Sequence, residues 1–149
     1  MTAIISGNTL GLVATSLNTL SASSAGGSAR LGNGGESVYV NIANGNLVLA
    51  NQDELLVSRG PDVNVLRTYN SQGSADGDNN DNWRIGFYRQ VGNLTGSINA
   101  AGSQIERTEA DGAVLVYHWN GSSYVNTDGA GSADNLSFNN GAWTWTDGD

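Results

Sequence analysis

The residues best placed to do chemistry in this chain are hard oxygen donors. In Asp76-Gly77-Asp78-Asn79-Asn80-Asp81-Asn82 the side chains of Asp76, Asp78 and Asn80 stand at alternate positions. A tight loop with that spacing can fold oxygen ligands around Ca²⁺. The match is partial, because Asp81 sits where an EF-hand-type loop turns on Gly, and no Glu follows at the bidentate position. Asp76, Asp78, Asn80 and Asp81 are therefore the candidate metal ligands, with Ca²⁺ the one cofactor suggested. The simpler reading of the same stretch is a solvated acidic loop.

Three further groupings have residue types that could form a site. Glu106, Glu109 and Asp111 cluster on one hairpin arm, and paired carboxylates are the machinery of glycoside hydrolysis. Their spacing on a strand fits a solvated face better. His118 is the only histidine, and no strand–turn–helix elbow frames any Ser that it would activate. A histidine on a sheet is the simpler reading, so no catalytic residue is assigned and a non-enzyme is expected. Trp143 and Trp145, two apart, project to one face, with Trp119 and Tyr124 as possible neighbours. Such a row can stack sugar rings, which makes carbohydrate a candidate partner. It can also fill a core that is short of large side chains.

Composition narrows the classes. Six Arg, no Lys and 14 acidic residues give a net charge of -8, which repels a phosphate backbone and argues against nucleic-acid binding. There is no Cys, hence neither a disulfide nor a thiolate metal site. No apolar run approaches the roughly 18 residues of a membrane span. Met1–Ser6 lacks the basic start and apolar core of a classical signal peptide. The Asn/Gly/Ser/Asp-rich composition is similar to large bacterial exoproteins of the RTX and adhesin type. It leads to an expected extracellular or cell-surface location, with export directed by a signal outside this segment. The chain also stops at Thr-Asp-Gly-Asp without a terminating pattern, so a fragment of a longer protein is expected.

The elements that must position these residues are strands. Hydrophobic residues make up 38%, against about 45–50% in an average domain, and 21 Gly, 19 Asn and 16 Ser favour many short strands and turns. Residues 1–36 form a low-complexity lead-in whose scattered Leu residues dock as irregular coil or an edge strand, or else belong to a mobile linker. Residues 37–149 form the β domain. Val38, Val40 and Ile42 alternate with Tyr39 and Asn41, and Asn44-Gly45 signals a type I′ turn. A two-residue loop there would set Ile42 against Leu47 and Val40 against Leu49. Leu55–Val57 runs into the turn Gly60-Pro61-Asp62, and Val63, Val65 and Arg67 open a third strand. Trp83–Val91 reads as one strand and Val114–Trp119 as a central strand apolar on both faces. Asp111-Gly112, Asn120-Gly121 and Asn140-Gly141 mark further hairpins, the last pairing Phe138 with Trp143 and Leu136 with Trp145. The fold class is all-β: antiparallel hairpins forming a twisted sheet, sandwich or shell-like segment, with little or no helix.

Val40-x-x-Ala43-Asn44-Gly45-Asn46-Leu47-Val48-Leu49, Arg59-Gly60-Pro61-Asp62 and Arg67-Thr68-Tyr69-Asn70-Ser71 together resemble the segment that opens the repeat region of Rhs/YD-repeat proteins. Asn82-Trp83-Arg84 and Ala110-Asp111-Gly112 match later positions of that pattern loosely. The glycines expected before the Trp are replaced by an acidic loop, and the Tyr-Asp repeats themselves are absent. The resemblance implies a structural scaffold in a secreted bacterial protein that encloses a toxin. Its partner is the downstream or cleaved part of the same polypeptide, engaged by β-pairing. It also implies that Arg67 pairs with Asp62 or Asp53 and that Tyr69 packs on the sheet. The alternative from another class is a Ca²⁺-stabilised adhesin or carbohydrate-binding β-sandwich.

Overall fold

The computed structural model describes residues 2–19, 36–73, 81–127 and 133–148. They form an all-β fold of two sheets. The first, in chain order, is β1 (Ala3–Ile5), β2 (Ser37–Asn41), β3 (Leu47–Leu56), β4 (Val63–Asn70) and β5 (Trp83–Ile85). The second contains β6 (Gln90–Thr95), β7 (Gln104–Thr108), β8 (Val114–Trp119), β9 (Tyr124–Val125), β10 (Asn135–Asn139) and β11 (Ala142–Thr146), again with sequence neighbours side by side. Every adjacent pair is antiparallel except β1 and β2, which run parallel. A single helical turn, α1 (Ser16–Thr19), is the only helix among the described residues.

The β2–β3 hairpin forms with its register two residues away from the expected one. Val40 faces Leu47 and Val38 faces Leu49. Asn44 does not take the positive φ that a type I′ turn needs; only Gly45 does, at 75°. The cause is Asn41, whose buried side chain accepts from the Ala43 N–H at 3.0 Å while its carbonyl accepts from the Gly45 N–H at 2.8 Å. These bonds close a longer loop than the dipeptide alone specifies. An even shift leaves each residue on its original face. The buried face, however, is that of Ala3, Ile5, Asn41 and Val48, and the Val38, Val40 and Leu49 face is only half-buried.

Trp83–Val91 is not one strand. Ile85 O accepts from Tyr88 N–H at 3.1 Å, and this turn carries the chain from β5 in the first sheet to β6 in the second. Val114–Trp119 is central, as its composition suggests, but buried on one face only: Leu115 and Tyr117 point inward, Val116 and His118 outward. The Gly/Asn stretch after Val91 continues as β6 through Thr95, with a register shift between Gly92 and Thr95.

The second sheet curls on itself. Arg107 on β7 and Trp145 on β11 lie four strands apart in the sheet order, about 19 Å if the sheet were flat. Yet the Arg107 guanidinium sits 4.0 Å from the Trp145 ring centre. Inside the curl Ile105, Leu115, Tyr117, Tyr124 and Leu136 are fully buried, with Trp119, Trp143, Val91 and Ala14 packed against them. Burial of each large side chain contributes about 1.5–3 kcal/mol. Ala14 comes from the lead-in, whose described part is thus seated in the fold. Ile5 pairs with Asn41 in β2, and the Asn41 amide bonds Gly7 through both its oxygen (3.2 Å) and its nitrogen (2.9 Å).

Candidate functional site

Of the candidate Ca²⁺ ligands, Asp76, Asp78 and Asn80 lie outside the described residues. Asp81 is described, and its Oδ1 accepts from the Trp83 N–H at 3.0 Å, opening β5. Among the described residues no group of three or more His, Asp or Glu is placed to hold a metal ion.

The three clustered carboxylates do not share a solvated face. Glu106 points outward and accepts from Asn93 Nδ2 at 2.7 Å. Glu109 turns inward and is buried, paired with the Arg107 guanidinium and flanked by Arg89 at 3.4 Å. Asp111 is buried as well, its carboxylate accepting from the N–H groups of Leu12 (2.5 Å), Val13 (2.7 Å) and Ala113 (3.0 Å). The expected solvated face is corrected here, and the reason is that two of the three serve as internal anchors. A buried charge persists only where it is paired or fully hydrogen-bonded.

The aromatic row divides. Trp143 meets Tyr124 edge-on with ring centres 5.2 Å apart and Phe138 at 5.0 Å; Trp119 meets Tyr124 at 5.1 Å. Tyr124, Trp119 and Trp143 belong to the core. The hairpin that carries Trp143 and Trp145 has the expected register, Phe138 opposite Trp143 and Leu136 opposite Trp145. Trp145 lies at the rim, 38% exposed, its inner face over Arg107 and its Nε1 donating to Asp134 at 3.2 Å. The Tyr117 hydroxyl is buried beside Arg107 and Trp145 but makes no hydrogen bond of normal geometry with either. Burial pushes its phenol above the ordinary value, against the opposing pull of Arg107.

The surface that sequence reasoning did not single out is on the first sheet. Cross-strand rows Ile4–Val40–Leu47 and Val38–Leu49–Tyr69–Trp83 make one apolar face, none of it fully buried. Tyr69 packs on Trp83 at 5.5 Å, and Arg67 lies 5.1 Å over the Trp83 ring while pairing through two nitrogens with the Asp53 carboxylate. The Arg67 hydrogen bonds hold the Asp53 carboxyl below its usual range.

That face continues into a projecting ribbon. β2 reaches only Ala50 of β3, and β5 reaches only Arg67 of β4. Beyond those points β3 and β4 pair with each other from Gln52–Leu66 to Leu56–Val63, with Gly86 N–H also donating to Leu66 O at 2.8 Å, and no other strand flanks them among the described residues. Leu55 is 48%, Leu56 56% and Val57 75% exposed, and Val63 and Leu66 are exposed as well. Leu55 and Leu66 lie on one side of the ribbon, Leu56, Val63 and Val65 on the other. The sequence signal was present: β2 and β3 carry apolar residues on both faces, one more face than a lone sheet on one core can bury. Compared with protein-family models, with curated proteins and with solved structures, the chain matches none of them.

Proposed function

We propose that this chain is a non-enzymatic structural β module, a scaffold or shell-opening segment of a secreted Rhs/YD-repeat-like protein. Its open sheet is completed by further strands of the same polypeptide. The observation that carries the reading is the β3–β4 ribbon. A two-stranded ribbon is marginal on its own in water, and here, among the described residues, neither edge pairs with a further strand beyond Leu66, and both faces carry exposed apolar side chains. Edges and apolar faces of this kind are what strand addition uses, with main-chain bonds for affinity and side-chain contacts for fit. The Arg67–Asp53 pair supports the reading further, since the resemblance implied it.

The test is amide hydrogen exchange at residues 52–57 and 63–66. It is measured in this chain alone and in the longest polypeptide that its gene encodes. The expected outcome is fast exchange in the chain alone and strong protection in the longer protein, together with tandem Tyr-Asp strands in the added sequence. Equal exchange in both settings, or a gene that encodes no further strands, would overturn it.

A further inference from the structure

The chain carries Asn-Gly pairs at 33–34, 44–45, 120–121 and 140–141, of which the last three fall among the described residues. In such a pair the backbone nitrogen of Gly can attack the side-chain carbonyl carbon of Asn. The attack needs an N–H free to give up its proton, a side-chain amide free to turn, and room for the approach. The three pairs meet these needs unequally.

At Asn44-Gly45 the nucleophile is engaged, since the Gly45 N–H donates to Asn41 O at 2.8 Å. The Asn44 amide is held at both ends: Nδ2 donates to Thr9 O at 3.0 Å, and Oδ1 accepts from the Asn46 N–H at 2.9 Å. At Asn120-Gly121 the Asn120 oxygen accepts from the N–H groups of Ser122 (2.9 Å) and Ser123 (3.0 Å) and from the Ser122 hydroxyl (3.1 Å). Re-orienting that amide breaks three bonds. At Asn140-Gly141, by contrast, neither the Asn140 side chain nor the Gly141 N–H makes a hydrogen bond among the described residues. Residues 139–142 are all exposed, and nothing lies within 4 Å of where a Gly141 Cβ would stand.

We propose that Asn140 is a site of spontaneous deamidation, which the folded Asn44 and Asn120 pairs resist, and that its isoaspartyl product loosens β11. The Gly141 nitrogen loses its proton to hydroxide and bonds to Asn140 Cγ, closing a five-membered imide. The side-chain nitrogen leaves as ammonia, and water then opens the ring. Opening at Cγ leaves an ordinary aspartyl link; opening at the main-chain carbonyl leaves an isoaspartyl link that carries the chain through Cβ. The isoaspartyl link adds one backbone atom to a loop made of Asn140 and Gly141 alone, at φ 52° and 81°. Among the described residues β11 pairs only with β10, in the register that this turn sets. The site is independent of the ribbon on the first sheet.

The test incubates the folded chain at mildly alkaline pH, digests it with pepsin in acid, and follows amide loss at the three Asn by mass spectrometry. The same incubation in denaturant gives each site's unfolded rate, which removes the influence of neighbouring sequence. Asn140 is expected to react within about threefold of its unfolded rate, and Asn44 and Asn120 at least about tenfold below theirs. The isoaspartyl form, separated from the parent chain, is expected to exchange the amides of residues 142–146 at least about tenfold faster. Protection of Asn140 equal to that of the other two would overturn the site. So would faster reaction at Asn120, where three donors on the oxygen would then be stabilising the developing charge. Unchanged exchange in the isoaspartyl form would overturn the effect on β11.

Discussion

Asn70 Nδ2 donates to the backbone carbonyl of Asp111 at 2.7 Å, and this one bond ties the end of β4 to the β7–β8 turn of the other sheet. The Asn70 oxygen accepts at the same time from the Gly11 N–H and from Asn46 Nδ2, both at 2.8 Å. The lead-in, the first sheet and the second sheet thus converge on a single buried amide. Inside a protein such a network stabilises only while every member is satisfied.

Asn70→Asp and Asn70→Ala test that dependence. The Asp variant keeps the shape but turns an acceptor toward the Asp111 carbonyl. The Ala variant strands the buried groups of Gly11, Asn46 and Asp111. Each is expected to cost about 2–4 kcal/mol, since an orphaned buried polar group costs about 1–3 kcal/mol. Urea denaturation reads the change, and a loss below about 1 kcal/mol would show that the network does not join the sheets.

Two glycines with positive φ separate backbone strain from close approach. Gly121, at φ 104°, has nothing within 4 Å of where a Cβ would stand. Gly11, at φ 72°, would put a Cβ 2.5 Å from the Asp111 carboxylate carbon. Gly121→Ala is therefore expected to cost only the left-handed penalty of about 1–2 kcal/mol. Gly11→Ala should cost at least twice as much, because it also drives the carboxylate off the Leu12 and Val13 N–H groups. Equal losses in denaturation would mean that Asp111 moves aside freely.

The two Asn-Gly hairpins show how far local sequence reaches. At Asn140-Gly141 both residues take positive φ, 52° and 81°, and the expected register forms. At Asn44-Gly45 the same dipeptide is overruled by Asn41, buried against Gly7 from the lead-in, and the register moves by two. Strand identity and face membership were legible because alternation survives an even shift. The buried face was not, because Tyr39, Val48 and Ala50 oppose Val38, Val40 and Leu49. Neither the inward turn of Glu109 and Asp111 nor the contact of Arg107 with Trp145 leaves a local trace. Both depend on the curl of the second sheet.

The Arg67–Asp53 pair makes a pH prediction. The hydrogen bonds from Arg67 lower the Asp53 pKa in the folded chain. The pair's contribution is then complete above the unfolded carboxyl value of about 3.9, and is lost as pH falls through the lower folded value. Carboxyl chemical shifts should place the Asp53 midpoint below the ordinary aspartate value, and Arg67→Gln should return it to the ordinary range. An unshifted midpoint in the parent chain would show that the pair does not persist in solution. The pair is solvent-exposed, so overall stability should change little.

Tyr117 supplies the opposite sign at the other end of the scale. Burial raises its phenol above the usual value of about 10. A raised folded value means that the neutral phenol's contribution is complete below the unfolded value and disappears as pH rises through the folded one. Tyr117 should form tyrosinate only above the usual range, seen as a late step in tyrosinate absorbance that coincides with loss of circular dichroism. The hydroxyl also makes no hydrogen bond of normal geometry, so its solvation is not fully replaced. Tyr117→Phe removes that cost while keeping the ring among Ile105, Leu115 and Leu136. The variant is expected to be as stable as the parent, within about 0.5 kcal/mol, or more stable. A loss above about 1 kcal/mol would mean that the hydroxyl is bonded after all, with Arg107 and Trp145 the donors beside it.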